Sequence, residues 1–158
     1  MRYQFVTVWA LEAPLETVSD VISRSLNWPQ WWRSVESVEE LAPGDVTGVG
    51  NIRRYTWRGW LPYRLRFTMC VTQIEPQATI AGIASGDVNG WGRWSFAADG
   101  AVTIVRYDWQ VRITSPWLRF LAFIAGPLVR WNHNFVMHQG GQGLARVLNA
   151  RLIRISHH

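Results

Sequence analysis

The side chains best suited to chemistry in this sequence are His133 and Tyr107. His133 precedes Met137 by four residues in a segment of helical periodicity, so it falls near the inward edge of the same helix face. An imidazole there can orient or protonate a ligand carbonyl, because its ordinary pKa of about 6.5 keeps both protonation states within reach. The competing role is a structural histidine held by hydrogen bonds. Tyr107 is the second candidate acid/base group. His138 lies about 100° around the helix from Met137 and is expected on the outer side. The two histidines are five apart rather than the four that put a metal-binding pair on one face, and the helix offers no nearby carboxylate, so no metal site is expected. Asp108, with Arg66, Arg93 and Arg106 as possible neighbours, reads as a member of exposed cross-strand ion pairs rather than a catalytic acid. There is no Gly-x-Ser-x-Gly elbow, phosphate loop or dinucleotide fingerprint, and Gly48-Val49-Gly50 falls in a hairpin rather than ahead of a helix. No cofactor is expected.

The elements that must position these groups are legible in order. Tyr3 to Leu11 is rich in aromatic and β-branched residues and reads as a strand. Pro14 opens a helix with Val18, Val21 and Ile22 on one face, and a second short helix or turn surrounds Trp28-Pro29-Gln30-Trp31-Trp32. From Val35 to Thr114 about six strands follow, separated by turn signals at Pro43-Gly44-Asp45, Gly59, Glu75-Pro76, Asn89-Gly90 and Asp99-Gly100. Such short connections make neighbouring strands antiparallel. Arg64, Arg66, Thr68, Cys70 and Thr72 alternate with Leu65, Phe67, Met69 and Val71. Arg106, Asp108, Gln110 and Arg112 alternate with Val105, Tyr107, Trp109, Val111 and Ile113. The sheet is therefore wet on one face and covered on the other. Ser115-Pro116 starts a helical region that Gly126-Pro127 restarts, and the apolar spacing from Leu128 to about Arg151 makes a long amphipathic helix. That helix is the natural cover for the sheet. The expectation is one α+β domain over residues 1–158: a curved antiparallel sheet of about 6–7 strands wrapped around a long C-terminal helix, with two short helices after the first strand.

Eleven Trp in 158 residues is several times ordinary usage. Strand parity puts Phe67, Met69, Trp94, Tyr107 and Trp109 on the covered face, and Tyr55 and Trp57 with them. These rings either fill a solid core or line a cavity, and large flat side chains on every strand favour a cavity. Gly140 and Gly141 lie between Met137 and Leu144 on the helix's apolar stripe, where a missing side chain leaves room for a ligand or permits close packing. The expected ligand-binding set is Tyr55, Trp57, Phe67, Met69, Trp94, Tyr107, Trp109, His133, Met137, Gly140 and Gly141.

All sixteen basic residues are Arg, against eleven acidic ones, for a net charge of +5. With no basic run, zinc spacing or aromatic RNA-binding pattern, nucleic acid is not an expected partner. The lone Cys70 excludes an internal disulfide and agrees with a reducing, cytoplasmic location. No apolar run is long enough to span a bilayer. The Trp117 to Trp131 stretch, apolar beside basic residues, allows transient contact with a membrane surface. The chain is read as a soluble monomer or homodimer.

The order of elements, with Ala13-Pro14-Leu15-Glu16-Thr17-Val18, Trp28-Pro29-Gln30-Trp31-Trp32, Leu41-Ala42-Pro43-Gly44-Asp45 followed by Gly48-Val49-Gly50, and the stretch from Asn132-His133 to Gly143-Leu144, resembles the START-related helix-grip superfamily. This superfamily includes lipid-transfer domains, birch-pollen-allergen-like proteins and polyketide cyclase/dehydrase-like proteins. The resemblance covers nearly the whole chain. It implies a pocket for a hydrophobic small molecule, such as a lipid, polyketide or polycyclic aromatic. It also leaves two other functions open: cyclase or dehydratase chemistry through His133 and Tyr107, and lipid transfer at a membrane. No catalytic signature spans the superfamily, so it assigns no residue a role.

Overall fold

The computed structural model describes residues 2–158. Strand β1 (Arg2–Glu12) turns Phe5, Thr7, Trp9 and Leu11 inward, the period-two pattern of a strand with one covered face. Helix α1 (Leu15–Ser23) follows Pro14 and buries Val18 and Ile22, and a 3-10 turn covers Ser25–Gln30. Six strands then run in succession: β2 (Val35–Ala42), β3 (Ile52–Trp57), β4 (Leu65–Glu75), β5 (Thr79–Gly86), β6 (Val88–Asp99) and β7 (Val102–Ile113). Helix α2 (Pro116–Val147) and strand β8 (Arg151–His157) complete the chain.

The sheet has eight antiparallel strands in the order β2-β3-β4-β5-β6-β7-β1-β8. Register shifts at Ala10/Leu11, Glu40/Ala42 and Val71/Gln73 mark bulges, which bend and twist their strands and curve the sheet. Three details depart from the sequence reading. The helix stops at Val147 rather than near Arg151, because Asn149 takes a left-handed conformation (φ 49°) that ends it. The residues after it form β8 against β1, one strand beyond the expected 6–7. The β5–β6 reversal falls at Gly86 and Asp87, with Gly86 at φ 134°, so Asn89-Gly90 lies inside β6.

Helix α2 is broken at Ala125 (φ −141°, ψ 41°), just ahead of Gly126-Pro127. Pro127 has no N–H to continue the hydrogen-bond ladder, and the break yields a short first segment and a longer second one. Two indoles fix the second segment over the sheet. The Trp32 Nε1–H donates to the carbonyl of Val136 at 2.9 Å, and the Trp9 Nε1–H donates to that of Met137 at 3.1 Å. Around Trp32 stand Trp9, Trp28 and Trp57, with ring centroids 5.5, 5.1 and 4.9 Å away, in the tilted and edge-on arrangements that aromatic quadrupoles favour. This cluster fills one end of the space under the helix.

On the outer face, Asp108 is buried rather than exposed. Arg106 grips it through Nε and Nη2, each at 3.0 Å, and Arg93 approaches to 3.9 Å. Arg66 takes no part: its backbone N–H donates to Asp87.

Candidate functional site

Beneath α2, beyond the tryptophan cluster, lies an apolar cavity of about 120 Å³. Strand β1 contributes Tyr3 and Phe5 to its wall, β4 contributes Leu65 and Phe67, and β7 contributes Tyr107, Trp109 and Val111. Helix α2 closes it with Leu118 and Leu121 from the first segment and Val129, His133, Val136 and Met137 from the second. A second cavity of about 70 Å³ lies toward β5 and β6, with Tyr55, Met69 and Trp94 in its wall. Trp57, Phe67 and Tyr107 border both cavities and form the partition between them.

The residues singled out in the sequence fall into three groups. Trp57, Phe67, Tyr107, Trp109, His133 and Met137 line the larger cavity. Tyr55, Met69 and Trp94 line only the smaller one, and Tyr55 is tied to Ser25 by a 2.8 Å hydroxyl–hydroxyl hydrogen bond. Gly140 and Gly141 line neither, which corrects their assignment to the ligand site. A Cβ on Gly140 would lie 2.5 Å from the Trp32 ring, and one on Gly141 would lie 3.1 Å from Trp9. The room these glycines leave is taken by the protein's own side chains, Trp32 at Gly140 and Ile155 with Trp9 at Gly141.

Sequence reasoning missed Tyr3, Phe5, Tyr63 and Asn132. The first two follow from the parity that buries Trp9 and Leu11, so the signal was present in β1. Asn132 carries no such signal. Its buried side chain accepts from the Leu61 N–H (3.2 Å) and donates to the Tyr63 hydroxyl (3.4 Å), clamping the loop after β3 onto the helix.

Few polar atoms reach this apolar space. The Nε2 of His133 and the indole Nε1 of Trp57 are sealed from solvent and have no hydrogen-bond partner among the described residues. Buried polar atoms are normally paired, and leaving one unmet costs about 1–3 kcal/mol. The His133 ring stacks on Phe5 at 3.9 Å, and the Arg130 guanidinium covers the Phe5 ring at 4.8 Å. Burial, followed by the charges of His157 and Arg130, lowers the His133 pKa to about 3. At neutral pH the imidazole is therefore uncharged. Burial pushes the Tyr107 phenol above its ordinary value, so it remains protonated.

The shift has a stability consequence with a definite sign. The folded pKa of His133 is depressed to about 3 from 6.5, so below 6.5 the unfolded chain takes up a proton that the folded chain refuses. Stability is complete above 6.5 and is lost as the pH falls toward 3. His133→Phe, which keeps a ring against Phe5, is expected to flatten the acid limb of the thermal midpoint plotted against pH. An unchanged limb would show that another group governs it.

Residues 4–149 match the family model described as polyketide cyclase / dehydrase and lipid transport. The chain belongs to that family. Among solved structures, a START superfamily protein from Mycobacterium smegmatis superposes with a TM-score of 0.74 at 17% identity, covering 93% of this chain and 98% of that one. A Streptomyces aromatase/cyclase gives a TM-score of 0.66 at 16% identity, covering 93% and 96%. At these identities the likeness establishes the helix-grip fold of this family member. No curated protein matches its sequence.

Proposed function

We propose that this family member binds one small, uncharged, largely apolar molecule in the larger cavity, with a hydroxyl or carbonyl of the ligand meeting His133 Nε2. The observation that carries this reading is an imidazole nitrogen with no hydrogen-bond partner among the described residues, on a side chain that lines a predominantly apolar cavity of about 120 Å³. An apolar cavity of about 150 Å³ accepts benzene, so the space suits roughly one ring. Partly exposed Gly59, Tyr63, Leu121 and Val129 bound the cavity, the last two flanking the helix break, and a larger ligand can extend past them. A carboxylate would be buried here without a partner, at prohibitive cost. Trp57 Nε1–H can only donate, which also favours a ligand oxygen.

Binding is favoured over acid/base turnover because neither candidate group has a pKa near neutrality. His133 is a weak base and Tyr107 a weak acid in this environment. The family description and the aromatase/cyclase likeness support the enzymatic alternative. Its test is turnover of a poly-β-ketone analogue by wild type and His133→Ala, where equal rates would remove His133 from any mechanism. For binding, calorimetry with phenol is expected to give saturable one-to-one association. Leu121→Trp, which fills the cavity from a partly exposed position, should weaken that association at least about tenfold. Undiminished affinity in Leu121→Trp would place the ligand elsewhere.

A further inference from the structure

The first segment of α2 is amphipathic in an unusual sense. Its cavity side carries Leu118, Leu121 and Ala122, while its bulkiest apolar residues face away from the protein: Trp117, Phe120, Phe123 and Ile124 are 58, 61, 77 and 62% exposed. Just past the break, Leu128 and Trp131 are also exposed, and Trp131 stacks edge-on against the exposed Trp60 at 5.2 Å. Single exposed apolar residues need no explanation, but bulky ones concentrated on one face of one helix do.

Charge narrows what covers this face. Helix α2 carries Arg119, Arg130 and Arg146 and no Asp or Glu, and Arg119 stands exposed among the aromatic rings. A second copy of the chain docking through the same helix would bring together two faces that each carry Arg119, with no carboxylate on α2 to pair with it. An anionic lipid surface answers both features. Trp and Phe are favoured at the membrane–water boundary, and guanidinium groups beside them meet lipid phosphates. No helix among the described residues is long and apolar enough to cross a membrane, so the contact would be made by the helix lying in the interface.

We infer that the outward face of residues 116–124 is a docking site for anionic membranes. Because the same segment supplies Leu118 and Leu121 to the cavity wall, docking sets the mouth of the cavity against the bilayer, where an apolar ligand is most concentrated. This goes beyond the binding reading and stands without it.

The test is cosedimentation with phosphatidylcholine vesicles made with and without phosphatidylglycerol. Wild type is expected to associate with the phosphatidylglycerol vesicles and to be released by salt. Phe120→Asp combined with Phe123→Asp should weaken that association about tenfold or more. Arg119→Glu should weaken it about tenfold on phosphatidylglycerol vesicles alone. None of these three positions lines either cavity, so thermal midpoints and phenol affinity are expected to stay at wild-type values. A wild-type protein that remains in the supernatant, or full association by the double aspartate variant, would overturn the inference. So would sedimentation velocity showing a dimer that the aspartates dissolve, without any vesicle binding.

Discussion

Trp32→Ala is expected to cost about 3–5 kcal/mol of folding stability, the range for deleting a fully buried large aromatic. For a chain of this length that is a fall in thermal midpoint of roughly 10 °C or more. Trp32 is wholly inaccessible to solvent, and its indole is the meeting point of three layers of the fold. It packs against Trp9 from β1, Trp28 from the 3-10 turn and Trp57 from β3, and its Nε1–H ties the turn to the helix at Val136. Removing it leaves a large void bounded by rigid rings that cannot collapse inward, so the cost should sit at the upper end of the range. Trp32→Phe keeps most of the ring contacts and loses the hydrogen bond, and should cost distinctly less. Thermal or chemical denaturation of the two variants measures the difference. Equal losses would mean that the hydrogen bond, rather than the packing, carries the effect.

Gly143→Ala should destabilise although alanine is the better helix former. In an exposed helix the exchange is worth roughly 0.8–1.0 kcal/mol in alanine's favour. At Gly143 the new Cβ would collide with the carbonyl oxygen of Trp31, a backbone atom that cannot swing aside. The helix would have to lift from the turn, an overpacking strain of about 1–3 kcal/mol before any loss in the tryptophan cluster. Gly126→Ala is the matched control: nothing lies within 4 Å of a Cβ there, so it should be neutral or stabilising. The opposite signs of the same chemical change at two positions of one helix are the prediction, and a stabilising Gly143→Ala would refute the close approach of turn and helix.

These two positions also show where sequence reasoning stops. Glycines in the middle of an amphipathic helix announce that something comes close, without saying what. At Gly140 the neighbour is the Trp32 indole, and at Gly141 it is Ile155 together with the Trp9 indole. Strand parity was a stronger signal. It placed Phe67, Tyr107 and Trp109 inward, because a pleated strand leaves only two choices and the arginines on the other face select one. It could not say which inward rings pack together and which border a void, since that depends on how high the helix rides above the sheet. That height is set by Trp9 and Trp32 reaching the carbonyls of Met137 and Val136, long-range contacts with no local signature. Strand β8 was missed for a different reason. Leu148-Asn149-Ala150 holds a legitimate helix stop, and the Ile153 and Ile155 that follow it are strand formers. The helical spacing through Leu148 masked both signals. The break at Ala125, by contrast, was announced by Gly126-Pro127 and divides the helix into the segments the cavity and the exposed face require.

Two methionines can report from inside on an apolar molecule entering the space beneath α2. The Met137 side chain borders the larger cavity and that of Met69 the smaller one. In protein carrying 13C-labelled methionine methyl groups, titration with phenol should shift the Met137 resonance along a saturating curve. Met69, beyond the partition of Trp57, Phe67 and Tyr107, should respond less, and both responses should vanish in Leu121→Trp. A Met137 signal that stays fixed, or one that drifts linearly without saturation, would contradict a ligand site at this place in the fold.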